Sequence, residues 1–214
     1  MTLKLGETFQ YEQVVDSICE LNWRDLTSEE LTDVATIYYY FSIQFRENLQ
    51  IARDLHPDDE KLIELEAGEC DTANLSPWPG VAHAEERLDH DEIIRRSLEL
   101  LPIDSSRRPA VDEIGRVYLA NIRQMDLAIR ARSIASYEDR GLERVFNAIL
   151  TSTQWHGATL KAFEHFLVQH IKFDLDPNLG HGALARHLAP NDDVLPLWAE
   201  FKRILVKAVP GLLA

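Results

Sequence analysis

The segment TSEELTDVATIYYYFSIQFRENLQIARDLHP, Thr27 to Pro57, contains no glycine and no proline until its last residue. Thr27 is followed three positions later by Glu30, the spacing of a capping box. In such a box, hydroxyl and carboxylate each accept a hydrogen bond from the other residue's backbone N–H at the start of a helix. His56-Pro57 provides the stop, because proline lacks an N–H and drives the preceding residue out of the helical region. One long helix ending near Leu55 is the expectation.

The same logic extends outward. Glu7–His56, Arg116–Arg140 and Ala158–Asp176 are all free of glycine and proline, which favours helices over a sheet punctuated by turns. A second helix is expected from about Asp58 to Gly68–Asp71. CDTANLSPWPGVAH, residues 70–83, then breaks the pattern with Pro77, Pro79 and Gly80. A loop of this length inside a helical domain is often functional. Helix resumes across Glu85–Leu100, breaks at LLPIDSSRRP and returns from Val111. There Ile114, Tyr118, Ile122, Met125 and Ile129 mark one apolar face at helical spacing, a core face. Further helices are expected at 140–154, 158–175, 180–189 and 192–208. Alternation of apolar and polar residues is absent throughout. The fold class is therefore all-α, a bundle of about seven to nine helices, and 1–214 reads as a single domain.

Composition narrows the function classes. The 36 acidic and 22 basic residues give a net charge of −14, the wrong sign for binding nucleic acid or an anionic membrane surface. Cys19 and Cys70 form no disulfide framework and no zinc spacing. With no signal-peptide pattern and no apolar run of membrane-spanning length, a cytoplasmic protein is expected.

Five of the eight histidines fall between His156 and His187. Among them, His170, Asp174 and His181 would stack in one column on a continuous helix, since residues four, seven and eleven apart share a face. Imidazole and carboxylate in such a column suit iron, manganese or zinc. An isolated H-x3-D pair is most simply a hydrogen bond on a solvated face, but the apolar neighbours Phe166, Leu167, Ile171 and Phe173 point to a buried helix. Pro177 and Gly180 interrupt the helix, so His181 needs a bulge or a new helix to face the same way. Further candidates are Glu138, among apolar neighbours, Glu66 and Glu69 at a helix end, and His90 opening the helix beyond the proline-rich loop. Tyr38-Tyr39-Tyr40 and Tyr137 read as core aromatics.

A carboxylate at a helix end, a histidine opening the next helix, a glutamate two helices later, then H-x3-D and a further His-Gly resembles the haem-oxygenase-like di-iron oxidases. More narrowly, it resembles the CADD-like branch, related in fold to thiaminase II and pyrroloquinoline-quinone synthase. The resemblance runs from about Ile63 to Leu188 and is carried best by NLSPWPGVA, ERLDHDE, FEHFLVQHIKFD and GHGALARHL. It implies a haem-oxygenase-like bundle with two iron ions (or an Fe/Mn pair) held by Glu66 or Glu69, His90, Glu138, His170, Asp174 and His181. Glu66-Ala67-Gly68 matches the wider family's Glu-x-Gly. The usual last spacing, H-x3-D-x2-H, is not kept: Pro177 stands at the third position, His181 follows instead, and Asp176 is a minor rival to Asp174. The implied activity is oxidation or oxygenation with O2 of a small amine- or carboxylate-containing metabolite, with p-aminobenzoate or folate-type metabolism as one setting. A homodimer is the assembly expected of the class. No haem is expected, because the proximal histidine would lie in the N-terminal helix and the first histidine here is His56. Two other functions fit a helical fold: metal-free binding of a small molecule or cofactor, and a helical interaction protein.

Overall fold

The computed structural model describes residues 9–70, 75, 77–83, 85–100, 106–174 and 181–214. Among these, ten α-helices follow in order: α1 (Gln10–Cys19), α2 (Ser28–Leu55), α3 (Glu60–Glu69), α4 (His90–Glu99), α5 (Arg108–Ile122), α6 (Leu127–Glu138), α7 (Gly141–Ile149), α8 (Gly157–Asp174), α9 (His181–Ala185) and α10 (Leu195–Ala208). The described residues hold no strand, only an isolated bridge between Pro79 and Ala82. The all-α expectation is met, with a helix count slightly above the expected range. None of the described helices is long and apolar enough to cross a membrane.

Helix α2 is the axis of the bundle. Its 28 residues span about 42 Å at 1.5 Å per residue, and it packs against α3, α4, α5, α6, α8 and α10. The expected capping box is present: Glu30 N–H donates to Thr27 Oγ1 at 3.2 Å, and Thr27 N–H donates to Glu30 Oε2 at 3.0 Å. Enclosed on nearly every side, α2 buries polar as well as apolar residues, and each polar one must find a partner. Gln44 donates to the Tyr137 hydroxyl at 3.2 Å and accepts from the Tyr118 hydroxyl. Asn48 donates to Ser133 Oγ at 3.0 Å and accepts from Arg130 Nε at 2.8 Å. These bonds fix the rotation of α2 against α5 and α6.

Three boundaries differ from the sequence expectation. The glycine- and proline-free stretch before His56 divides into α1 and α2, because buried Trp23 folds back and donates from Nε1 to Ile18 O at 2.9 Å. The helix expected onward from Val111 is two helices. Asp126 accepts from the N–H groups of Ala128 and Ile129 and starts α6 anew. Of that apolar face, Tyr118 and Ile122 are fully buried, while Ile114, Met125 and Ile129 are partly buried against the core. Helix α4 starts at His90 rather than Glu85, whose backbone is left-handed at φ 66°. Pro177, Gly180 and Asp176 lie outside the described residues. Helix α8 ends at Asp174 and α9 starts at His181.

Removing the cap tests the role of the α2 start. Thr27→Ala is expected to lower unfolding stability by about 1 kcal/mol, measured by urea denaturation. A second test concerns Asp33, buried on α2 with the Arg107 guanidinium at 3.0 Å. Burial pushes its carboxyl from 3.8 up to about 6 despite Arg107. A raised folded-state pKa means that this group's contribution is complete below the ordinary value and is lost as pH rises through the folded one. Between about pH 4 and about pH 7, Asp33→Asn should therefore gain about 1–3 kcal/mol relative to wild type. A difference independent of pH would contradict this reading of Asp33.

Candidate metal centre

Five helices place six ionisable side chains around one buried point. Glu69 is the last residue of α3, His90 the first of α4, Glu138 the last of α6, Asp174 the last of α8 and His181 the first of α9. His170 stands one turn before the end of α8. All of them except Asp174 are at most 8% exposed as residues, and the Asp174 side chain is 7% exposed. Phe166 and Phe146 pack on His170, with ring centroids at 5.5 and 5.3 Å, and Phe173 packs on His181 at 4.7 Å.

Glu69 is the hub. His90 Nδ1 lies 2.9 Å from its Oε2, and His181 Nδ1 lies 2.9 Å from its Oε1. His181 Nδ1 is also 3.3 Å from Glu138 Oε2 and 3.5 Å from Asp174 Oδ1. Asp174 Oδ2 bonds His170 Nδ1 at 2.8 Å. That bond fixes the imidazole and aims its Nε2 away from Asp174, the arrangement by which a carboxylate orients a metal-binding histidine.

Close approach does not amount to hydrogen bonding here. Glu69 Oε1, His90 Nε2, both Glu138 oxygens, Asp174 Oδ1 and both His181 nitrogens are buried without a hydrogen-bond partner. Elsewhere among the described residues only Asp33 Oδ2 and Trp155 Nε1 share that state. Unsatisfied buried polar atoms each cost about 1–3 kcal/mol, so seven in one place call for a further group. Two sets of three residues have ligand atoms within 4.8 Å of one another: Glu69, His90 and His170, and Glu69, Glu138 and His181. These buried groups could hold a metal ion, and the sets share Glu69.

The protonation pattern of the side chains themselves follows from burial and charge. Burial would raise the Glu69 carboxyl, but His90 and His181 outweigh it and hold Glu69 well below the usual carboxylate range. Burial, with the Asp174 charge behind it, pushes Glu138 up to about 7. His90 is lowered by burial, only partly offset by Glu69. For His181, burial is outweighed by Glu69 and Glu138, and its pKa is raised.

Six of the seven residues singled out in the sequence thus come together. Glu66 does not: it accepts from Arg53 Nε at 3.1 Å and its side chain is 39% exposed. Asp174 touches the cluster but belongs to neither three-residue set. The link between Asp174 and His181 in the His170–Asp174–His181 column lies outside the described residues, and His181 is the first residue described after it. Sequence reasoning missed the cavity of about 510 Å³ that opens beside the cluster, walled by α2 residues Tyr38, Phe41 and Phe45. Their three- and four-residue spacing was the available signal. No protein-family model, curated protein or solved structure matches this chain.

Gly182 sets how closely α9 can approach α6. A methyl group at this position would lie 2.8 Å from the Glu138 backbone carbonyl oxygen. Gly182→Ala should push α9 outward and cost about 1–3 kcal/mol of stability as overpacking, measured by denaturant unfolding. Unchanged stability would mean that α9 can be displaced freely.

Proposed function

We propose that the protein is a non-haem di-iron oxidase or oxygenase of the haem-oxygenase-like type, acting with O2 on a small organic metabolite. The observation that carries this reading is the pair of buried Glu/His sets that share Glu69 and border a cavity large enough for a small ligand. One metal would be held by Glu69, His90 and His170, the other by Glu69, Glu138 and His181. The donor set fits: mixed imidazole and carboxylate ligands drawn from facing helices suit iron or manganese, whereas structural zinc favours thiolates. Bound in such a site, a redox-active metal pair supplies electrons to O2.

The chain's own residues supply the setting. Three carboxylates offset the charge of the cations, and Asp174 holds His170 in one orientation. Tyr38 is buried between Phe41, Phe146, Phe163 and Phe166, with ring centroids 5.4–5.9 Å apart, and this aromatic wall excludes water from the cavity's inner end. A metal-free binding protein would need water or protons to serve all seven unpartnered atoms, which makes that reading the weaker one.

Anaerobic loading with Fe(II) is the test. Wild type should retain about two irons per chain and then consume O2. His181→Ala should retain about one iron, because the Glu69–His90–His170 set survives. Retention of only trace metal by wild type, or equal retention by His170→Ala, would sink the proposal.

A further inference from the structure

Six carboxylates and two guanidiniums line the cavity beside the metal centre. Both guanidiniums are already engaged by these same acids. Arg46 grips Asp91, Nε to Oδ1 at 3.1 Å and Nη2 to Oδ2 at 2.9 Å, and Arg130 reaches Glu47 at 3.2 Å. A cleft lined by an excess of one charge between low-dielectric walls concentrates the opposite ion. Here that ion is a cation.

The acids form a graded series. Side-chain exposure falls from 39% at Glu66 and 38% at Asp89 to 10% at Glu69 and 1% at Glu138. Each outer acid also adjoins an inner member of the cluster. Glu66 shares a face of α3 with Glu69, three residues on, and Asp89 directly precedes His90 at the start of α4.

Both outer acids keep one oxygen open. Glu66 Oε2 accepts from Arg53, and Asp89 Oδ1 accepts from the Cys70 thiol at 2.8 Å. Among the described residues, Glu66 Oε1 and Asp89 Oδ2 accept no hydrogen bond. Arg46 Nε stands 3.9 Å from Asp89 Oδ2, too far to bond it. At the inner end, His90 Nε2 and both Glu138 oxygens are buried without a partner, and their residues line the same cavity. Glu66 and Asp89 belong to neither three-residue set, so an ion taken up there is passed inward rather than held.

We propose that this cavity is the entry path of the divalent metal ion. Glu66 and Asp89 take the hydrated cation from solvent, Glu69 and His90 take it over, and Arg46 opposes its passage at the mouth. The inference rests on the proposed metal centre for its destination, but it concerns residues outside that centre. Entry beneath α9 would first have to release two ties just beyond that helix. Arg186 donates to Asp139 at 2.9 and 3.1 Å, and His187 Nε2 lies 2.5 Å from Asp59 Oδ2.

The test follows Co(II) uptake by the metal-free full chain in stopped flow, read by the visible absorption of bound Co(II), with retained metal counted after gel filtration. Wild-type uptake should slow at least about tenfold between about 0.01 and 0.5 M salt. Glu66→Gln combined with Asp89→Asn should load at least about fivefold more slowly at low salt, yet retain as much Co(II) as wild type. Arg46→Gln should load about threefold faster or more. Both differences should vanish at high salt, which damage to the fold would not produce. Glu113→Gln removes a carboxylate outside the cavity and should match wild type. Either mouth variant loading at the wild-type rate would overturn the proposal. Faster loading by His187→Ala, with the mouth variants unchanged, would place entry beneath α9. A wild type that retains no Co(II) would instead refute the metal centre, and the entry path with it.

Discussion

Both oxygens of the Glu69 carboxylate face an imidazole at 2.9 Å, His90 on one side and His181 on the other. This arrangement sets the terms for the rest of the molecule. It requires the end of α3 to meet His90 and His181 in the buried interior. Burying a carboxylate is costly unless charge and hydrogen bonding compensate. His181 supplies charge, but the geometry leaves Glu69 Oε1 and His181 Nδ1 without hydrogen bonds. A cation between the carboxylates would complete what the side chains alone do not.

Helix termini add to that pull. Glu69 and Glu138 are each the final residue of a helix, where the backbone carries partial negative charge. A carboxylate in the last turn is unfavourable on its own, and two of them converge here. His90 opens its helix, where a neutral imidazole is favoured over a charged one and keeps a lone pair available for a metal. The fold thus accepts electrostatic tension at the ends of two helices. Helix α2 absorbs the mechanical consequence. It contributes no member of the cluster, yet it packs against α3, α4, α6 and α8 and determines where their ends fall.

Much of this was legible in the chain because it is local. The capping box at Thr27 and the stop at Pro57 define α2, and the absence of breakers identifies helices elsewhere. The division between α5 and α6 escaped notice because it uses no glycine or proline, only the Asp126 carboxylate turned onto two backbone N–H groups. Glu66 and Glu69 could not be told apart, since residues three apart share a helix face. What separates them is distant: Arg53 on α2 draws Glu66 outward, while His90 and His181 hold Glu69 inside. The bond between Arg46 and Asp91 was equally invisible, because nothing in either neighbourhood announces the other.

The cluster's members are dispersed along the chain, from Glu69 to His181, and this has a consequence for how the protein is made. A ribosome delivers Glu69 and His90 long before His170, Asp174 and His181, and domains form as their sequence emerges. Until α9 has been synthesised and has settled against α6 at Gly182, the second set of three residues does not exist. The early carboxylates remain hydrated through most of synthesis and lose that hydration only when nearly the whole bundle has closed. An ion held at the shared glutamate would therefore be captured late, once α9 is in place.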